Sequence, residues 1–217
     1  MSADRGPTDI VRTFGDRAVV VDESDVERRE TLIRELSVLL PDTRVRGGMA
    51  GLLVESTVPA SGLGDRVANA LGRVSMGGEG SASSAREVEI PVVYEGADLP
   101  AAAAELGCST EDLVRAHQAQ GWAVAMMGFA PGFAYLVPVG HQVLEWAALA
   151  RRASPRAAVP AGSVAVAAGM SAVYPEQMPG GWHLLGRTQL RLFDASVDRT
   201  PALLAPGDHV RFVRSAS

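Results

Sequence analysis

Two glycine- and proline-rich stretches hold most of the side chains that could do chemistry here. One is Gly128-Phe-Ala-Pro-Gly-Phe-Ala-Tyr-Leu; the other runs from Val159-Pro-Ala-Gly-Ser-Val through Val173-Tyr-Pro to Pro179-Gly-Gly-Trp-His-Leu-Leu-Gly-Arg-Thr. In the first, Pro131 and Gly132 suit the central positions of a type II turn, the second of which needs a positive φ. Phe133 and Tyr135 then share one face of the extended segment that follows. Exposed, that face is an aromatic wall for a small or planar ligand; buried, it is core. Pro179 and Gly180 repeat the turn chemistry and place Trp182 and His183 at a strand entrance. Pro160, Gly162, Ser163, Tyr174, Gly181 and Thr188 belong to the same series of turns. Such turns aim backbone groups and aromatic edges into a concave site while supplying no obvious nucleophile or metal ligand.

Arginine is the other notable supply. Arg151, Arg152 and Arg156 lie close in sequence, and Arg187 and Arg191 follow the glycine turn. A planar guanidinium binds carboxylate or phosphate through two parallel hydrogen bonds, although a cluster of charges also makes an ordinary solvated face. Arg187, between two expected strands, is the arginine on which function is placed.

Other chemistries lack their residues. His117, His141, His183 and His209 are scattered, with no pair at metal-ligand spacing and no CxxC, so no metal site is expected. Ser163 enters a strand with no helix behind it, unlike a nucleophile elbow, and reads as a turn serine. There is no phosphate-binding Gly-Lys loop and no lysine in the chain, so a nucleotide would need arginines and backbone amides. The single cysteine, Cys108, sits in Gly107-Cys-Ser-Thr, which reads as a turn between helices.

Composition bounds the rest. The 217 residues are 47% apolar and 21% charged, enough to bury a real core. A net charge of −5 with no basic stripe argues against nucleic acid. The absence of a leader or a long apolar run predicts a cytoplasmic protein with no membrane span.

The elements expected to position these residues fall into two parts. Over residues 1–75, two short strands flank Gly15-Asp16, and a capping box at Ser24 and Glu27 opens a helix that Pro41 stops. A strand at Gly51-Leu-Leu-Val-Glu and a helix through Leu63, Val67, Ala70, Leu71 and Val74 complete a small α+β domain. Residues 76–86 form a polar linker. Residues 87–217 begin with a strand that Pro91 confines to an edge or bulge, then two helices at 99–106 and 110–120, the second capped by Ser109. Short strands follow at 122–127, 163–168, 182–185, 190–193 and 209–213, the spacing of a barrel or sandwich.

At these motifs the chain resembles the bacterial 5-oxoprolinase B-subunit family, also known as KipI and as allophanate hydrolase subunit 1. The resemblance runs in order through Phe129-Ala-Pro-Gly-Phe-Ala-Tyr-Leu, Arg152-Ala-Ser-Pro-Arg, Val159-Pro-Ala-Gly-Ser-Val, Val173-Tyr-Pro, the Pro179 to Thr188 segment, Leu192-Phe-Asp and Pro206-Gly-Asp-His-Val-Arg-Phe. It implies an α+β N-terminal domain followed by a mainly-β, cyclophilin-like barrel. It also implies one component of an ATP-dependent lactam hydrolase that opens 5-oxo-L-proline to glutamate, acting in a hetero-oligomer with a homologous C-type partner and an A-type protein. ATP, with Mg shared with the partner, is the implied cofactor. Arg187, Arg156 and His183 are then the expected catalytic residues, and the turn residues and aromatics named above the substrate-binding ones. The same family includes a regulator that inhibits a histidine kinase and modules related to the carboxyltransferase part of urea carboxylase, so fold alone does not choose among these roles. One departure from the family pattern is Ala168-Gly-Met-Ser-Ala, where apolar Met170 replaces a polar amide.

Overall fold

The computed structural model describes residues 10–76 and 86–216, so most of the expected linker lies outside the described residues. The chain divides into two compact units, Met1–Ser84 and Ala85–Ser217.

The first unit is a four-stranded sheet with two helices. Strands β1 (Val11–Phe14), β2 (Ala18–Asp22), β3 (Thr43–Gly48) and β4 (Gly51–Ser56) lie in the order β1-β2-β4-β3, all antiparallel. Helices α1 (Val26–Leu39) and α2 (Leu63–Met76) pack Leu32, Leu36, Val67 and Leu71 against Val19, Val21, Leu52 and Val54 of the sheet. Alternate strand residues face the helices, which is why β2 and β4 read as half-buried. The α1 cap is Asp25 and not Ser24: Asp25 is extended, and its carboxylate accepts the Arg28 N–H at 2.7 Å. Helix α2 reaches Met76, one residue into the stretch expected as linker.

The second unit is a nearly closed barrel flanked by two helices. Its elements are β5 (Glu87–Val92), α3 (Leu99–Glu105), α4 (Thr110–Ala119), β6 (Gly121–Met127), β7 (Ala134–Val139), β8 (Arg156–Val159), β9 (Ser163–Ala167), β10 (Met170–Val173), β11 (Met178–Gly180), β12 (His183–Arg187) and β13 (His209–Arg214). Seven strands run in the order β12-β9-β10-β7-β6-β13-β5, and β8 pairs with β11 alone. The chain just past β5 returns to the far edge, where Val93 and Arg187 exchange backbone hydrogen bonds of 2.8 and 3.0 Å, so the sheet almost meets itself. Pro91 is accommodated because β5 ends the seven-strand order and pairs only with β13.

Strand β9 explains how a barrel strand serves two cores. Val164 and Val166 join the interior with Trp122, Leu136 and Phe212, while Ala165 and Ala167 face a second cluster built on Phe133, Tyr174 and Trp182. Small alanines on that side leave room for large rings. Two expectations fail here. Leu190 to Phe193 is not a strand, since only Phe193 makes an isolated bridge, to Ala202; Leu192 is apolar because it is buried in the interior cluster. Pro179 and Gly180 lie in β11 and not in a turn. Among the described residues no helix is long and apolar enough to cross a membrane.

Candidate functional site

The turn that opens the site forms as its residues require. The Phe133 N–H donates to the Ala130 carbonyl at 3.0 Å, with Pro131 and Gly132 between them, and Gly132 takes φ +79°. A Cβ on Gly132 would lie 2.7 Å from Cβ of Phe193, so glycine is needed for space as well as for φ. This turn delivers Phe133, which is 2% exposed, into a set of edge-to-face contacts: ring centroids lie 5.4 Å from Phe129, 5.1 Å from Tyr135, 5.5 Å from Tyr174 and 6.1 Å from Trp182. Edge-to-face packing sets each ring's positive edge against its neighbour's electron-rich face, which fixes the rings in place. Phe129 adopts φ +72° on the rim and is 63% exposed.

Against this aromatic floor lies a cleft of about 200 Å³. Tyr135, Tyr174 and Trp182 line it, and Gly180 and Gly181 leave the backbone bare. A side chain at Gly180 would collide with the Tyr174 hydroxyl, which accounts for glycine inside β11. Burial raises the Tyr174 phenol above its ordinary value and outweighs the opposing hydrogen bond from the Trp182 backbone and the charges of Arg151 and Arg156. Tyr174 is therefore a neutral donor at physiological pH.

Arginines line the cleft as well. Arg151, Arg152 and Pro155 line the cleft, and the Arg152 N–H is tied to the Gly181 carbonyl at 2.7 Å. Behind the lining sits Asp98, 3% exposed. Its Oδ1 accepts from Arg152 Nη1 and Arg156 Nη2, each at 2.7 Å, and its Oδ2 accepts the Leu184 N–H at 2.8 Å. Burial alone would raise this carboxyl, but the bonds from Arg156 and Leu184 and the charges of Arg156 and Arg152 outweigh it and hold the group below the carboxylate range. Asp98 stays ionised and fixes two guanidiniums.

The expected site residues divide into three groups. Phe133, Tyr135, Tyr174, Gly180, Gly181 and Trp182 come together in the cleft, with Pro131 and Gly132 forming the turn that places Phe133. Arg156 and His183 stand beside it: Arg156 is engaged by Asp98, and His183 Nε2 meets the Ala150 carbonyl at 2.8 Å. Pro160, Gly162, Ser163 and Thr188 do not line it. They build a junction in which the Gly162 N–H bonds the Tyr174 carbonyl and the Thr188 N–H bonds the Gly162 carbonyl, both at 2.8 Å. Arg187 does not line it either: its exposed guanidinium pairs with Glu95 at 2.5 Å, at the seam where the barrel closes. Met170 packs at the margin of the aromatic cluster.

Sequence reasoning misses Phe129, Arg151, Arg152, Pro155 and Asp98 as site residues, although it notes the two arginines as part of a charge cluster. Phe129 abuts the turn motif, and that adjacency is a signal that could have found it. Asp98 lies 54 residues from Arg152, and no local pattern announces their meeting. Cys108 lies in the turn between α3 and α4, where Gly107 takes φ +68°. Burial and then the charge of Asp112 push its thiol up, so it is not a poised nucleophile. The cleft lining contains no carboxylate, thiol, serine or histidine. Its polar groups are tyrosine hydroxyls and guanidinium N–H groups, set among aromatic faces.

The sequence model for the carboxyltransferase domain, subdomain C and D, matches residues 6–204. The B subunit of 5-oxoprolinase from Escherichia coli O157:H7 is 47% identical over 131 residues, covering 59% of this chain and 58% of the relative. The protein of the same name from Bacillus subtilis strain 168 is 42% identical over 132 residues, covering 59% and 53%. The chain thus spans little more than half the length of the curated relatives it matches. Among solved structures, TTHA0988 is similar with a TM-score of 0.72 and 32% identity, over 93% of this chain and 41% of that one.

Proposed function

The chain belongs to the carboxyltransferase domain family, subdomain C and D, and from that premise we propose that it is one component of a 5-oxoprolinase-type lactam hydrolase whose small cyclic substrate lies in the aromatic, arginine-edged cleft. In this reading the first unit is a separate α+β domain, the barrel is of the cyclophilin-like kind, and the enzyme is complete only with a C-type partner and an A-type protein. The observation that carries it is the cleft itself. About 200 Å³ between aromatic rings suits one small ring and falls below the roughly 300–1,000 Å³ of pockets that take larger ligands.

Opening a lactam requires making a poorly electrophilic carbonyl reactive, and phosphorylating its oxygen with ATP is the simplest route. The residues present do not fit the nucleotide: the cleft is too small, and among the described residues no group of three or more His, Cys, Asp or Glu could hold a metal ion. We therefore assign ATP and Mg to the partner and derive no step through them. This chain's contribution is to hold the ring and place neutral phenol and cationic guanidinium donors around it.

A regulatory module that docks a histidine kinase is favoured by one feature, the exposed Phe129 on a rim whose lining carries no acid, base or nucleophile. Purifying the tagged protein from its native cell separates the two. Recovery of a C-type 5-oxoprolinase component supports the hydrolase, and recovery of a kinase without it would replace that reading.

A further inference from the structure

Buried polar side-chain atoms almost always find partners, so each one that does not calls for an explanation, such as a ligand, an ion or a bound water. Of the buried side-chain atoms without a partner among the described residues, three belong to residues in or beside the cleft: Arg152 Nε, Arg156 Nη1 and His183 Nδ1. All three lie along one seam. There the Arg152 N–H bonds the Gly181 carbonyl, His183 Nε2 bonds the Ala150 carbonyl, and Asp98 bridges Arg152, Arg156 and Leu184.

The charge along the seam is unbalanced. Arg151 and Arg152 line the cleft, Arg156 stands beside them, and Asp98 is the carboxylate that ties two of the three; no acid lines the cleft itself. Asp98 occupies Nη1 of Arg152, which leaves the Nε–H on the guanidinium's other edge without an acceptor. A guanidinium pinned by one bond loses little further freedom when it makes the next, so it is preorganised for a second planar acceptor.

We propose that the Arg152 edge of the cleft is a carboxylate subsite, and that Asp98 is its positioning residue: it orients Arg152 so that the free guanidinium edge reads the carboxylate of a small ring lying against Tyr135 and Trp182. The choice of ring rests on the lactam reading above; the arginine geometry does not. The aromatic faces that line the cleft beside the guanidinium suit a flat ring that carries the carboxylate.

The test is equilibrium titration of the full chain with 5-oxo-L-proline, with 2-pyrrolidinone as the same ring lacking the carboxylate, with benzoate as an unrelated ring carboxylate, and with inorganic phosphate. A charge-assisted bidentate pair should make 5-oxo-L-proline bind about tenfold or more tighter than 2-pyrrolidinone. Arg152→Lys, which keeps the charge but removes the Nε–H edge, should erase most of that preference. Its affinity for 2-pyrrolidinone should stay within about twofold, because that ligand has no carboxylate to lose. The wild-type comparison decides the matter even if the variant fails to fold. Benzoate binding without 5-oxo-L-proline binding would uphold the subsite and remove the lactam reading. Equal binding of 5-oxo-L-proline and 2-pyrrolidinone would do the reverse. Binding of no carboxylate, or tighter binding of phosphate, would overturn the subsite.

Discussion

Phe133 is the residue on which the cleft turns, since its one buried ring touches four others. Truncating it removes those contacts and leaves a void at the floor, so Phe133→Ala should cost about 3–5 kcal/mol of stability. Chemical denaturation checks this, and a loss below about 1 kcal/mol would mean that the neighbouring rings close the gap unaided. Arg187 makes the opposite case. Its side chain is 57% exposed and paired only with Glu95, so Arg187→Ala should change stability by no more than about 1 kcal/mol and leave ligand binding in the cleft as it was. Sequence reasoning places function on Arg187 because it lies between two expected strands; in the structure its guanidinium reaches the closure seam. Arg152 reads in the sequence as one member of a charge cluster and as the start of the Arg152-Ala-Ser-Pro-Arg motif, neither of which assigns it a role. What selects it is Asp98, and a bond between residues so far apart in the chain leaves no trace in local spacing.

Among the elements, the turn before β7 is legible because proline and glycine carry their φ preferences with them. Gly132→Ala tests that logic: a side chain must take positive φ and meet Phe193, so a loss of about 2 kcal/mol or more is expected by denaturation. An unchanged melting transition would show that the turn can rearrange. The alternation of Phe133 and Tyr135 is equally legible, yet not whether their face is covered; the answer is divided, with Phe133 buried and Tyr135 half-buried. Leu190 to Phe193 shows the converse error, an apolar run that packs into the interior without forming a strand. The α1 cap shifts by one residue because Ser and Asp are near-equal caps, and the chain entering the helix decides between them.

At the scale of the molecule, the barrel interior is organised around a wholly buried histidine. Tyr94 donates its O–H to His117 Nδ1 at 2.8 Å; His117 Nε2–H donates to Ser171 Oγ at 3.1 Å, and the Ser171 O–H passes on to the Ala165 carbonyl at 3.2 Å. The carbonyl accepts only, which orders the whole chain of protons and leaves His117 neutral. Stacked on Phe212 with centroids 4.4 Å apart, it is pushed down to about 3 by burial from an ordinary 6.5. The unfolded chain therefore binds a proton that the folded one refuses between those values. Stability should be level above pH 6.5 and fall as the pH drops toward 3, by up to about 1.4 kcal/mol per pH unit. Denaturation midpoints of the wild type and of His117→Phe should diverge in slope across that window, and parallel slopes would show that His117 is protonated inside the fold. Asp98 adds a second loss lower down: its depressed carboxyl stabilises fully above 3.8 and is lost as the pH falls through its folded value.

If the aromatic and arginine-edged cleft holds a lactam for hydrolysis, 5-oxo-L-proline-dependent ATP turnover, assayed with the C-type and A-type components proposed above, reports it. Turnover should be abolished by Arg152→Ala and stay near the wild-type level in Arg187→Ala. Turnover that survives Arg152→Ala but fails with Arg187→Ala would place the chemistry at the barrel's closure seam and contradict the cleft reading.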